Sequence, residues 1–358
     1  MIIGIDTSAL GNRVTGTSRY IECLLKVLQN TSHTIKTFSP TKIVDANKIS
    51  ILNSLPVIKR GGIRRHIFRM FEINKQMLNS GVNCGIFPNY LMPLNFKKPA
   101  AIIIHDLSFI SHPHFYSKAF VWYYTDQLKK ILKTDPFICA VSETTRNSIV
   151  QYLDVDKNKI FLLQAYVDIN RNDAGQYLQN AIDGKPYFLY VGHIEPRKNL
   201  HFMIENFLRW KKKNRSEYKL KLVGDIWSSS KKIQTMIKYY SKELDIEFCG
   251  YVSENELSTL YSNASAFVHT SIVEGFGFPV LEAMHFGLPI LCSAGTGTEE
   301  ISKPYSITVD PFDGLSLMKG FNLLVTAEKH CKEDYSIKYS PRLMCEQLDR
   351  LLIAMEKR

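Results

Sequence analysis

The sequence has no apolar run long enough to cross a bilayer, and strings such as Ala100-Ala-Ile-Ile-Ile104 are only as long as one buried strand. None of its seven cysteines forms a Cys-x-x-Cys pair. An odd count without that spacing suits reduced thiols in a cytoplasm and fits neither a disulfide framework nor a zinc site. The chain opens on an apolar strand, Met1-Ile-Ile-Gly-Ile-Asp6, with no basic stretch and cleavage site ahead of it, so no secretory leader is expected. Its first strand-to-helix loop lacks the Gly-x-Gly-x-x-Gly dinucleotide fingerprint. The basic residues are dispersed, with neither an aromatic RNA-binding signature nor a recognition-helix pattern, so nucleic acid is not the expected partner.

What is present is ordinary globular protein. A length of 358 residues with 45% hydrophobic and 22% charged residues is enough for two domains, each with its own core. A formal charge of +11 asks for an anionic partner. Composition leaves nucleic acid, an anionic membrane surface and phosphate-bearing substrates on equal terms.

One stretch organises the rest: Thr270-Ser-Ile-Val-Glu274-Gly-Phe-Gly277-Phe-Pro279-Val-Leu-Glu282-Ala-Met-His-Phe-Gly287-Leu-Pro289. The apolar run before it reads as a buried strand over Ala266–Ser271. Pro279 fits the first position of a helix that Gly287 closes. Glu274 then lies on a loop at a strand's C-terminal end and Glu282 one turn into the helix. Between them Gly275, Phe276, Gly277 and Phe278 bring backbone amides to a helix N-terminus, a natural place for phosphate. Two carboxylates flanking an anion site call for hydroxyl donors, such as a sugar on one side and a ribose on the other. The plainer reading is a glycine loop followed by a first-turn Glu that the helix dipole favours.

The stretch resembles the Glu-(seven residues)-Glu signature of retaining glycosyltransferases of family 4, which have the GT-B fold. Further strings resemble the same family. In Gly192-His-Ile-Glu195-Pro196-Arg197-Lys198-Asn199, two adjacent cations precede a helix and point at one anion; the resemblance makes that anion a diphosphate. Tyr251 and Val252, after Gly250, match the loop that holds the nucleobase. His105, at the end of a β-branched run and followed by Asp106-Leu-Ser-Phe, matches the histidine that bonds the donor sugar. Asp106 either orients the imidazole or caps the next turn. The loop Thr15-Gly16-Thr17-Ser18-Arg19 resembles one that faces the donor diphosphate, with Ser18 where the family has a second glycine. Thr17 or Ser18 is the expected cap of the following helix, whose apolar face is Ile21, Leu24, Leu25 and Leu28.

The resemblance implies two Rossmann-like doubly wound domains facing a central cleft. The expected boundaries are an acceptor domain over 1–168, a linker over 169–185, a donor domain over 186–340 and a terminal helix over 341–358 that crosses back to the first domain. It implies transfer of a hexose from a nucleotide-sugar to a lipid-linked glycan in surface polysaccharide assembly, O-antigen or capsule. GDP-mannose is the first expectation for the donor, since the His-Asp-Leu-Ser-Phe and Pro-Asn-Tyr segments are similar to bacterial mannosyltransferase-like members; another NDP-hexose is the alternative. Metal independence is expected, because no Asp-x-Asp string lies near these loops. A GT-B-like sugar-nucleotide epimerase or phosphorylase, and a non-catalytic nucleotide or nucleic-acid binder, are the competing readings.

Residues 62–79 carry a separate signal. Ile63, Ile67, Met70, Phe71, Met77 and Leu78 recur at helical spacing, while Arg64, Arg65, Arg69 and Lys75 fall opposite, with Lys59 and Arg60 upstream. Such a face either docks on an anionic membrane, placing the protein peripherally on the inner face of the plasma membrane, or is a solvated surface over a core-packed helix.

Overall fold

Short β-branched runs alternate with amphipathic stretches, and in the computed structural model they pair into two parallel sheets. Residues 1–10, 15–40, 43–45, 68–167, 184–226, 231–329 and 338–358 are described. They divide into two units, Met1–Tyr166 with Lys338–Arg358, and Val167–Ile337. The expected linker falls outside the described residues except for Gly184 and Lys185.

The first unit holds β1 (Ile2–Asp6), β2 (Thr34–Phe38), β3 (Ile43–Asp45), β4 (Cys84–Phe87), β5 (Ala100–Ile104), β6 (Phe137–Ala140) and β7 (Ile160–Leu162). Their order is β3-β2-β1-β4-β5-β6-β7, all parallel except that β3 runs against β2. The second holds β8 (Tyr187–Val191), β9 (Lys219–Val223), β10 (Ile246–Gly250), β11 (Ala266–His269), β12 (Ile290–Ser293) and β13 (Ser306–Val309). These are parallel throughout, in the order β10-β9-β8-β11-β12-β13. Both are doubly wound, and each reverses strand order once, between β1 and β4 and between β8 and β11. Ligands of open α/β sheets bind beyond the strand C-termini at such a reversal.

Burial on both faces explains the uninterrupted apolar strands: β5 is buried at all five residues. Each unit has its own core. In the second, Phe188 stacks on Phe321 and meets Phe207 and Trp210. In the first, Phe87, Ile102, Ile104, Leu128 and Ile131 pack together. Each such side chain contributes roughly 1.5–3 kcal/mol.

Helix α1 (Gly16–Gln29) buries Tyr20, Ile21, Leu24, Leu25 and Leu28. Its cap is neither Thr17 nor Ser18 but Thr15. Thr15 and Ser18 form a reciprocal capping box, so the serine that replaces a family glycine closes the helix start. In the second unit, α2 (Leu200–Asn214) follows β8, and α3 (Phe278–His285) and α4 (Gly297–Ser302) follow β11 and β12. The C-terminal helix α5 (Pro341–Glu356) packs on α1 and β7, where Gln347 accepts from the Gln164 backbone at 2.7 Å.

The described part of the basic segment departs from the expected face. A π-turn over Phe68–Glu72 precedes a helix over Ile73–Asn79. The wider turn breaks the 3.6-residue phase. Phe71, expected on the apolar face, is 76% exposed. Arg69, expected outside, turns inward and pairs through Nε with the buried Asp6 carboxylate at 2.8 Å. Arg60, Arg64 and Arg65 lie outside the described residues.

Candidate functional site

The strand reversal of the second unit brings the loops after β8 and β11 side by side. After β8, Pro196–Lys198 form a single 3-10 turn, and Asn199 in the left-handed region leads into α2. After β11, Thr270 to Gly277 lead into α3. Arg197 and Lys198 therefore meet Glu274 across the reversal. Lys198 Nζ donates to Glu274 Oε2, and Arg197 Nη1 donates to the same oxygen at 3.3 Å and to the Val273 carbonyl at 3.2 Å. Arg197 Nε is held by Glu195 at 2.8 Å.

All of the carboxylate's bonds within the described residues go to Oε2, which leaves Oε1 to accept from a ligand hydroxyl. Burial pushes the Glu274 carboxyl up, but Lys198 and Arg197, then His269, hold it well below the ordinary carboxylate range. Burial lowers the Lys198 ammonium, and Arg197 adds to that effect, while Glu274 and Glu195 oppose it. The result is a buried anion whose counter-charges are two cations beside a helix N-terminus.

The loop fits because two glycines leave room. Gly277 sits at φ +106°, and a Cβ there would lie 2.6 Å from Thr298 Cγ2. At Gly297, which opens α4, a Cβ would lie 2.2 Å from the Gly275 carbonyl oxygen. Gly297 N donates to the Glu274 carbonyl at 2.8 Å, so the start of α4 braces the loop. Helical bonds begin at Val280 and Leu281, which both donate to the Gly277 carbonyl. The amides of Gly275 to Phe278 thus lead into the first turn of α3, and the Phe276 and Phe278 side chains are buried.

Glu282 is 3% exposed and accepts from the Tyr261 hydroxyl at 2.8 Å. Gly192 closes β8, with its amide donating to Val223. Tyr251 is 57% exposed and Val252 half-buried, just ahead of a helix capped by Ser253. All of these stand at or beyond strand C-termini of one sheet, and the side chains of Arg197 and Lys198 meet that of Glu274 through hydrogen bonds.

The remaining expected residues belong to the first unit. His105 directly follows β5, with Nε2 3.2 Å from the Pro88 carbonyl, and Tyr20 meets its ring edge-on at 4.9 Å. A carbonyl only accepts, so Nε2 carries the hydrogen and Nδ1 of the neutral ring is left as an acceptor. Burial pulls His105 below its usual value, against the Pro88 bond and Asp106. Asp106 takes the second of its two readings: its Oδ1 accepts from the Ser108 amide at 2.9 Å and hydroxyl at 2.6 Å, closing the turn. Gly16 is exposed and Thr17 half-buried in the first turn of α1.

Three groups escaped the sequence reading. His269, inside the apolar string Ala266-Phe-Val-His-Thr270, ends β11 fully buried with Nε2 3.6 Å from Glu274 Oε2. A histidine closing a buried strand five residues before a loop carboxylate was the available signal. Glu195 lies two residues before Arg197, which it holds, so its spacing was the signal there; Tyr261 carried none, because the fold alone brings it to Glu282, 21 residues on.

Among the described residues no helix is long and apolar enough to cross a membrane, and no group of three or more His, Cys, Asp or Glu could hold a metal ion. Residues 178–338 match the family Glycosyl transferases group 1. O-antigen chain mannosyltransferase B of Escherichia coli is 28% identical over 232 residues, 63% of this chain and 61% of that protein. O-antigen chain mannosyltransferase RfbU of Salmonella typhimurium is 32% identical over 214 residues, 59% of this chain and 57% of that protein. The chain thus spans about three fifths of these relatives' length. Among solved structures, sucrose-phosphate synthase from Thermosynechococcus elongatus superposes with a TM-score of 0.77 at 16% identity over 99% of both chains. WaaG, a glycosyltransferase involved in lipopolysaccharide biosynthesis, gives 0.68 at 15% identity over 91% of both. These likenesses show the expected GT-B fold, two Rossmann-like units. The part of the chain that carries Arg197, Lys198, Glu274 and Glu282 matches the family Glycosyl transferases group 1.

Proposed function

We propose that this chain is a retaining glycosyltransferase, of family 4 type, that moves a hexose from a nucleotide-sugar to a glycan acceptor in surface polysaccharide assembly. The observation that carries the reading is the Glu274 carboxylate paired with Arg197 and Lys198 at a strand reversal, beside a helix N-terminus, within the segment that matches the family. Arg197, Lys198 and the Gly275–Phe278 amides take up charge developing on the leaving diphosphate. Glu274 holds the donor sugar's hydroxyls and carries charge near the anomeric carbon. Glu282 holds the ribose, Tyr251 and Val252 the base, and Gly16, Thr17 and Gly192 complete the donor contacts. His105 is assigned to the sugar, with Nδ1 as hydroxyl acceptor. Acceptor attack on the face the leaving group vacates, with the leaving phosphate taking the proton, accounts for retention without a protein nucleophile.

The two cations supply the counter-charge that a divalent metal would otherwise bring, so EDTA is expected to leave turnover unchanged. Mannose is the first choice of sugar, supported by the relatives named as mannosyltransferases. A lipid-linked acceptor and a peripheral site on the inner face of the plasma membrane complete the reading. With Arg69 committed to Asp6, membrane contact rests on Lys59, Arg60, Arg64, Arg65 and Lys75; co-sedimentation with anionic liposomes that survives reversal of Arg64 and Arg65 would remove it.

A thermal-shift panel of GDP-, UDP-, ADP- and dTDP-sugars tests the donor site, because a ligand of the native state raises the melting temperature by mass action. A shift with one nucleotide family, reduced in Glu282→Ala, is the expected result. No shift with any of them overturns the reading in favour of a binder of another class.

A further inference from the structure

Three groups converge on one oxygen of Glu274. Lys198 Nζ and Arg197 Nη1 donate to Oε2, and His269 Nε2 faces the same atom at 3.6 Å. Arg197 and Lys198 are also the groups assigned to the donor diphosphate. Two cations cannot fully serve a diphosphate and a carboxylate at once, and a buried carboxylate that loses its counter-charges is strongly disfavoured.

His269 is placed to make up that loss. It is fully buried at the end of β11, with its ring stacked near-parallel on Tyr190 at 5.7 Å and on Phe267 at 6.1 Å. Nε2 lies 3.0 Å from the Ser271 hydroxyl and faces the carboxylate, so in the neutral ring Nε2 carries the hydrogen. Nδ1 is buried with no hydrogen-bond partner among the described residues, and its lone pair is open to a proton. Arg197 and Lys198 face the ring from the turn after β8 and Glu274 from the loop after its own strand; Tyr190 on β8 and Cys292, its register partner on β12, are the neighbouring titratable groups. Burial, the largest influence, lowers the ring below its usual value; the contact with Glu274 opposes it, and Lys198 and Arg197 lower the ring further. A diphosphate that occupies both cations offsets their repulsion and leaves the attraction of Glu274 to act against burial alone.

We propose that His269 is a positioning residue that takes up one proton when the donor diphosphate engages Arg197 and Lys198, and so replaces them as the counter-charge holding Glu274 in place. The proton comes from solvent and returns to it when the nucleotide leaves; no covalent bond to the sugar changes in this step. The inference rests on the donor-site reading above.

The test is calorimetric titration of the full chain with GDP-mannose and UDP-glucose at pH 7, in buffers of differing ionisation enthalpy. A nucleotide-sugar's diphosphate does not titrate near neutrality, so any proton taken up belongs to the protein. The expected uptake is about 0.5 to 1 proton per donor bound, with Kd weakening by up to about tenfold per pH unit as pH rises from 7. His269→Gln, which keeps a hydrogen-bonding side chain without a titration, should bind donor with no uptake and a flat pH profile, and turn over more slowly. Binding to the wild type without uptake, or uptake that survives in His269→Gln, overturns the inference and leaves the donor site standing. Binding of neither, with no thermal shift from any nucleotide-sugar of the panel above, overturns the donor-site reading and the inference with it. Should His269→Gln fail to fold, the wild-type proton count decides alone.

Discussion

The strand ends of the two units share a topology and differ in chemistry. Beyond β8 and β11 the charges interlock: Glu195, Arg197 and Glu274, partly buried, join the buried Lys198 and His269 in one network, braced by the Gly297 amide. Beyond β1, β4 and β5 the polar groups stand apart. His105 leans on a carbonyl, Asp6 holds Arg69, and Asp106 closes its own turn. Around them lies an aromatic set in which Tyr90 meets Phe109 and Tyr124, and Phe120 meets Tyr116. A dense charged network suits one constant anion, whereas separated polar groups among rings suit hydroxyl-rich ligands that vary. The family match runs over 178–338, almost the span of the charged unit.

The comparison can be broken most sharply at Glu274. Glu274→Gln keeps the shape and removes the charge, so transfer should fall by about 10³-fold, the scale of a lost electrostatic group in an active site. Circular dichroism should stay as in the wild type; a variant within tenfold of wild-type turnover would refute the assignment. In the other unit, His105→Ala should cost about 10²-fold in transfer, nearer the scale of one positioned polar group. Its thermal shift with nucleotide should persist, because no loop of the charged network changes. Loss of that shift would mean that the units do not divide the work as proposed.

Gly297→Ala touches no charge, yet its methyl would press on the Gly275 carbonyl. A cost of about 1–3 kcal/mol in stability is expected, read as a melting temperature lower by several degrees. An unchanged melting temperature would show that the loop yields freely. The smallest effect is in pH. His105, His193 and His269 all have lowered values, with burial the first cause in each. An unfolded histidine binds its proton near pH 6.5 and these bind it lower, so between those values the unfolded chain holds more protons and stability falls as pH falls. Glu274 adds to this further down: its depressed value gives stability that is complete above the ordinary carboxylate range and is lost on acidification. Melting curves from pH 7.5 to 5 should therefore slope downward, and His269→Gln should flatten part of the slope. A flat wild-type profile would mean that none of the three is held neutral.

Much of this was legible in one dimension, because local rules govern it. Buried parallel strands read as apolar runs, so β5 and the first three residues of β11 announce themselves. The proline and glycine around Phe278–His285 mark the helix ends through backbone geometry alone. The Glu-(seven residues)-Glu string and Pro-Arg-Lys-Asn are short-range patterns on single loops. Where the reading slipped, a neighbour distant in sequence prevailed. Arg69 belongs by spacing to a solvated face, but Asp6, 63 residues earlier, draws it inward, and the π-turn shifts the phase of everything after it. Thr15 rather than Thr17 or Ser18 caps α1 because the capping box selects the pair three residues apart whose side chains reach each other's amides.

The sequence by itself determined the two βα-repeating units, the strand that leads to His105 and the loop that presents Glu274, since each depends on periodicity and turn chemistry within a few residues. Only the tertiary structure decided that Arg197, Lys198 and His269 share one oxygen of Glu274. Strand order places β8 beside β11, and in a sheet wound from the middle outward the neighbours are chosen by the packing of whole helices and strands. No local run of residues encodes that pairing.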